Sequence, residues 1–415
     1  MRFSSTNKVF LLFGILMLFE CKLENKKDAN ANESLSRQNE DVFQHKIEPK
    51  YAEGFSVTYH KNYKVVRTQS ELSSWSGSAS ESKEDIMVLM QKGTSLPELT
   101  GDLAKAEVIE IPVERVAVNV ENTESFLEAL SLTDKLVAIG GLISYNDTRR
   151  KRALDGDLMQ VGYSWHQPPM FENLLASKPD LFLMNLSNLD FAESMDKCRQ
   201  LDIPTASVFS WSEKNYLAQA EWIKYYSLFF NTEEKANSVF EQIERNIEEL
   251  KEKVSELNDK PTAIWGYYTG NDKWLVHRNS VECQFMIDAG LNNILHQPEA
   301  PLKNAGEPIS FEELLSKAQQ VDHWILGDVH SAALPKADLM ESFKAWQTGN
   351  LYHNFKRSKP DVNAYDWYGS AIVRPDKVLA DLIYLVHPTL LPDHELYYMD
   401  RLDKNFQFPI EQGAL

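Results

Sequence analysis

A chain of 415 residues, 43% apolar and 25% charged, has the material for one large core or two medium ones. Lys and Arg total 43 against 61 Asp and Glu, a formal charge of -18. That balance repels phosphate backbones and excludes nucleic acid as a partner.

Residues 1–20 read as an export signal. Arg2 and Lys8 precede the apolar run Val9 to Phe19, which is too short to span a bilayer, and Cys21 follows at once. A cysteine in that place looks like a lipoprotein processing site whose thiol takes a lipid, although Glu20 stands where a small residue is expected. From Cys21 to Lys50 the chain is polar and charged, and it reads as a flexible tether to a membrane. Cys198 and Cys283 are the other thiols; they fall on helices of different halves, so no disulfide is expected, and no Cys-x-x-Cys spacing suggests zinc.

Residues 51–230 read as a first lobe. Phe55 to Arg67 and Asp85 to Gln91 predict a hairpin with a long serine-rich loop from Ser70 to Ser82. Short strands follow near Val108 to Ile111 and Arg115 to Val120, then a helix from Thr123 to Leu130 and a strand from Leu136 to Ile139 that leads into Gly140-Gly141. Helices over Phe171 to Ser177 and Met195 to Leu201 alternate with strands over Leu181 to Met184 and Thr205 to Phe209. Alternating strands and helices predict a parallel sheet flanked by helices, an α/β fold.

Residues 231–258 change character. Asn231-Thr232-Glu233-Glu234 offers a helix N-cap, and Ala236, Val239, Phe240, Ile243, Ile247, Leu250, Val254 and Leu257 recur at gaps of three and four. One amphipathic rod is predicted, long enough to run the height of two stacked lobes. Residues 259–405 then repeat the α/β alternation as a second lobe, with strands over Thr262 to Tyr267 and His323 to Leu326. Its helices cover Ser280 to Ala289, Phe311 to Lys317 and Pro375 to Val386, and residues 406–415 form a tail.

One pattern occurs twice. Phe171-Glu172-Asn173-Leu174-Leu175 and Phe311-Glu312-Glu313-Leu314-Leu315 each lead to an acidic residue and an apolar strand. Two similar lobes, each presenting one carboxylate, suit a protein that closes on a ligand and is gripped lobe by lobe. In a two-lobed α/β protein the cleft is lined by loops leaving the strand ends. Those loops carry Tyr145, Trp165, His166 and Trp211 in the first lobe, and Tyr268, Trp274, Arg278, His330, Trp367 and Tyr368 in the second. Trp and Tyr give rigid contact area for a chelate or macrocycle, and Arg278 would anchor an anionic group. The run Arg149-Arg150-Lys151-Arg152 could attract an acidic ligand, although such runs are usually solvated helix faces. No Gly-x-Ser-x-Gly elbow, His-Glu-x-x-His or Gly-rich phosphate loop occurs, so a carrier is expected rather than an enzyme.

Further segments carry a resemblance: Val113 to Val118, Phe126 to Leu130, Lys178-Pro179-Asp180-Leu181, Leu201-Asp202-Ile203-Pro204 and Val373 to Leu382 running on to His387-Pro388. With the two Phe-Glu-x-Leu-Leu motifs, their order resembles the substrate-binding proteins of ABC importers for iron-siderophore, haem or cobalamin. The resemblance implies two Rossmann-like lobes with parallel-sheet cores, joined by a single long α-helix, with the ligand between them. It implies a lipid-anchored periplasmic monomer that needs no cofactor of its own. It also implies that Glu172 and Glu312 dock into arginine pockets of an inner-membrane ABC permease, a geometry carboxylates favour. Two-lobed carriers of zinc or manganese are the alternative, with His166, His277 and His330 as ligands; a cell-envelope enzyme on the same scaffold is another.

Overall fold

The computed structural model describes residues 41–403 apart from 75, 77, 271–272 and 328–339. Cys21, His330 and the tail 406–415 lie outside the described residues.

The chain first builds a four-stranded sheet from β1 (Phe55–Tyr59), β2 (Tyr63–Ser73), β3 (Ser80–Gln91) and β4 (Glu107–Ile111), in that order. β2 and β3 pair in register from Tyr63↔Met90 to Ser73↔Ser80, so most of the expected serine loop is strand. Leu72 is the one apolar residue at the far end of β2, and it is fully buried; the serines and glutamates around it gave no strand signal. This sheet borders β9 (Thr205–Val208) of the next one: Asp85 accepts from Ser207 N at 3.3 Å and pairs with Arg199 at 2.7 Å. Lys64 on β2 is fully buried, bonded to Leu228 O at 2.8 Å, Asn231 Oδ1 at 2.9 Å and the carboxylate of Glu233.

The first lobe's core sheet has the order β7-β6-β5-β8-β9, and each pair is parallel. Its strands are β5 (Val116–Val118), β6 (Leu136–Ile139), β7 (Met159–Gln160), β8 (Leu181–Asn185) and β9. β5, β8 and β9 are buried throughout, as strands covered on both faces must be, which accounts for the apolar runs Val116 to Val118 and Leu181 to Met184; in β9 the buried Thr205 and Ser207 alternate with Ala206 and Val208. The order reverses direction between β5 and β8, a topological switch point where a crevice opens at the strands' carboxyl ends. The helices of this half are α1 (Glu121–Ala129), α2 (Asp147–Leu154), α3 (Phe171–Ser177) and α4 (Glu193–Gln200), followed by α5 (Tyr216–Ser227).

α6 (Glu233–Ser255) is the predicted rod, about 34 Å long at ~1.5 Å per residue. Its Ala236 and Phe240 belong to the first lobe's core, whereas Ile243, Ile247, Leu250 and Val254 belong to the second's. Thr232 precedes it without a side-chain cap bond, contrary to the N-cap expected there; Asn231 has instead turned to positive φ and given its side chain to Lys64. α5 packs beside α6 and also reaches both cores, through Trp222 in the first and Tyr216 in the second. The rod is therefore buttressed by a second helix.

The second lobe's sheet runs β13-β11-β10-β14-β15-β18, with β12 also on β10. β12 (Asn292–Asn293), β10 (Thr262–Gly270), β14 (His323–Ile325) and β15 (Leu351–His353) are parallel. β11 (Lys273–Val276), β13 (Glu307–Ile309) and β18 (Asp400–Arg401) add antiparallel edges, while β16 (Ser358–Lys359) and β17 (Ala364–Tyr365) form a separate two-stranded ribbon. The helices α7 (Val281–Asp288), α8 (Phe311–Ala318), α9 (Lys344–Thr348), α10 (Asp366–Gly369) and α11 (Pro375–Val386) accompany them. Among the described residues no helix is long and apolar enough to cross a membrane.

Candidate functional site

The carboxyl ends of β5 and β8 carry a buried polar cluster. Asn119 donates to Asn185 O at 3.1 Å and its Oδ1 accepts from Asn185 N at 2.8 Å, while Asn185 Nδ2 reaches Ser164 Oγ at 2.8 Å. Ser187 Oγ donates to Ser164 O at 2.6 Å. A Cβ on Gly140 would meet the Asn119 carbonyl carbon and oxygen at 2.9 Å, so only glycine lets the loop after β6 lie against the end of β5.

Beyond this cluster the lobes face each other across a cavity of about 520 Å³, within the range of small-molecule sites. The first lobe contributes Glu121, Tyr145 and Arg149; the second contributes Arg357, Lys359 and Arg374. Lys359 Nζ donates to Tyr145 O at 2.9 Å and pairs with Asp147 at 2.6 Å, which ties the lobes together at one rim. The Arg357 guanidinium lies 4.8 Å from the Tyr145 ring centre and 4.3 Å from that of Tyr397, and it pairs with Asp366 at 2.5 Å. A second interlobe contact runs from Asn304 Nδ2 to Trp211 O at 3.2 Å. A hollow of about 610 Å³ near residues 42–45, 91–94 and 231–235 contains none of the strand-end loops.

Glu121 opens α1 straight after β5 and is 8% exposed. Burial pushes its carboxyl up to about 8, and the Glu124 charge one turn on adds to the effect. The Tyr163 hydroxyl beside the carboxyl opposes part of that shift, but Oε2 itself has no hydrogen-bond partner. An unpaired buried acceptor costs about 1–3 kcal/mol, so it is tolerated only where something else repays it. Glu124 is also held above the ordinary carboxyl range by burial, but it is bonded to Ser144 at 2.7 Å and to Arg149 at 3.2 Å.

The aromatic residues expected at the cleft divide. Tyr145 lines the cavity, and Trp165 and Trp211 stack edge-to-face at 5.5 Å beside the Asn304 contact. His166 is exposed next to the Tyr163 ring, and Tyr368 is exposed next to Tyr365. Trp274 must be corrected: it is 1% exposed, packed between Tyr268 and Trp324, because its β11 position points it into the core. Tyr268 is half-buried on that tryptophan, and Trp367 is half-buried against Trp265 and Tyr398. Arg278 is also corrected as an anchor, since it is buried and paired with Glu313 at 3.3 Å. The Arg149 to Arg152 run is only partly a solvated face, with Lys151 exposed and Arg149 turned inward. Arg149 is buried on Glu124 and Glu128, Arg150 pairs with Asp147, and Lys151 pairs with Asp155. Sequence reasoning passed over Glu121, Arg357, Lys359 and Tyr397. Glu121's place at a strand end was the one available signal, and 354–366 has no periodicity to read.

His277 is buried with its Nδ1 3.0 Å from Ser280 Oγ and 3.2 Å from Glu282, a structural setting. Among the described residues no group of three or more His, Cys, Asp or Glu is placed to hold a metal ion. Glu172 and Glu312 occupy the second position of α3 and α8. Both are exposed, within the same local pattern of half-buried Phe and buried Leu.

Residues 116–354 match the family model described as periplasmic binding protein. An uncharacterized lipoprotein of Methanocaldococcus jannaschii is 22% identical over 94% of this chain and 96% of its own. The periplasmic heme-binding protein HutB of Vibrio cholerae superposes with a TM-score of 0.51 at 17% identity, covering 66% of this chain and 99% of that one. Helicobacter pylori CeuE in its nickel–histidine complex gives 0.51 at 12% identity, over 78% and 90%. At these identities the likeness to the solved structures is one of fold.

Proposed function

The chain belongs to the periplasmic binding protein family, whose members are binding proteins rather than enzymes, and we propose from that premise that it captures a metal chelate between its lobes for an ABC permease. The supporting observation is the cavity of about 520 Å³ where strand-end residues of one lobe face residues 357–374 and Tyr397 of the other. The ligand class is a ferric siderophore, a haem or a corrinoid. Tyrosine faces and paired guanidinium groups supply the flat and polar contacts such ligands need.

Delivery runs through Glu172 and Glu312. Both carboxylates stand exposed at equivalent places in the two lobes, ready for bidentate arginine contacts. Met170 and Leu175 beside Glu172 are large, exposed apolar residues, as a docking face requires. Cys21 carries the lipid that holds the protein to the membrane, a reading in keeping with relatives named as lipoproteins. The test is uptake by cells carrying Glu172→Lys together with Glu312→Lys. Uptake is expected to be lost while chelate binding by the purified variant is unchanged; normal uptake would remove the docking assignment.

A further inference from the structure

The cavity's charges are unevenly committed. Its four cationic side chains each hold a carboxylate of the chain: Arg149 with Glu124, Arg357 with Asp366, Lys359 with Asp147, and Arg374 bidentate with Asp376 at 2.9 Å. Glu121 is the carboxylate on the wall without such a partner, nine-tenths buried, with Oε2 unbonded. It stands at the switch point of the first sheet, where ligands of open α/β sheets bind. A ligand rich in carboxylates would find every guanidinium already neutralised, and it would meet the negative charge of Glu121 as well once pH rises above about 8. A ligand bearing N–H or O–H donors would satisfy the open Oε2 acceptor on this wall, whether Glu121 is ionised or not.

Resting on the chelate-carrier reading, we propose that Glu121 is a ligand-contacting acceptor and that the cleft selects neutral or cationic chelates with N–H or O–H donors on their rim. Chelates whose rim carries carboxylates or a net negative charge are disfavoured. Binding of such a donor draws the ligand's polar edge toward Glu121, with Tyr145 and the Arg357 guanidinium alongside.

The experiment titrates the full mature chain with three probes: aquocobinamide (cationic, with peripheral amides), hemin (a dicarboxylate) and a ferric tris-catecholate (a trianion). Cobinamide is expected to bind at least about tenfold more tightly than either anion, the discrimination one buried hydrogen bond can supply. Glu121→Leu is expected to lower cobinamide affinity by a similar factor and to leave hemin unchanged or tighter. Glu121→Gln, the conservative variant, is expected to fall between the two, and thermal melts of both variants verify that they fold. Tighter binding of hemin or the catecholate, or cobinamide affinity indifferent to Glu121, would overturn this selectivity and leave the carrier reading standing. Binding of none of the three would overturn both.

Discussion

At Glu121 the demands of binding and of stability pull apart. An ordinary carboxyl titrates near 4.5, whereas this one is held near 8 by burial. Below the ordinary value both folded and unfolded chains carry the proton, and there is no penalty. Between 4.5 and 8 the folded chain keeps a proton that the unfolded chain releases, so stability falls as pH rises, by up to about 1.4 kcal/mol per pH unit. Above 8 the penalty is constant. Glu121→Gln should therefore exceed the parent in stability by a margin that grows across this window and then levels, as measured by denaturant unfolding at a series of pH values. A margin independent of pH would show that the carboxyl is not buried in this way. Trp274 and Trp165 provide a second contrast at the same scale. Trp274→Ala empties a core position and should cost about 3–5 kcal/mol, whereas Trp165→Ala, on a half-buried loop, should cost far less. Thermal melts of the two variants check it.

Among the elements, the junction of the N-terminal hairpin with the rod is the most exposed to a single change. Lys64 is buried on β2 and holds Glu233 at the start of α6. Burial presses its amine downward and the Glu233 carboxylate opposes that shift, the balance expected of a buried ion pair. Lys64→Ala leaves the carboxylate without its partner and should cost about 3–5 kcal/mol; replacing Lys64 and Glu233 together by methionine should cost much less. Chemical denaturation of the three chains decides it, and equal losses in single and double variants would contradict the pairing. This junction also shows what the sequence leaves unreadable. α6 was legible because one face is apolar and the other charged, α3 because its motif recurs in α8, and α11 because Pro375 opens and His387-Pro388 closes an apolar run; their boundaries came out within two residues or so. α5 was not foreseen, because it is buried on nearly every side and shows no stripe of contrast. The far half of the hairpin hid for the opposite reason: its residues are polar and only Leu72 reaches the core. The cavity fared worst, since Arg357, Lys359 and Glu121 meet only through tertiary packing, and nothing in their spacing announces it.

For the molecule as a whole, α6 and α5 both reach into the two cores, so the lobes are joined by packed helices rather than by loose strands. Closure on a ligand is expected to be a hinge of a few degrees, and solution scattering should show the same radius of gyration with and without ligand; a marked contraction on loading would contradict a stiff connection. If the chelate sits in the crevice between the lobes, filling that crevice must abolish binding. Gly369 lies on its wall, and a Cβ there would be in ordinary contact with Asp366 Oδ1 at 3.4 Å, Ser125 Oγ at 3.5 Å and Glu121 Cβ at 3.7 Å. Gly369→Phe can therefore be accommodated at its base while its ring fills the space beyond. The decisive measurement is the affinity of this variant for the chelate that the parent binds, taken beside a thermal melt. A folded protein that no longer binds is the predicted result; a folded variant that binds as the parent does would place the ligand elsewhere.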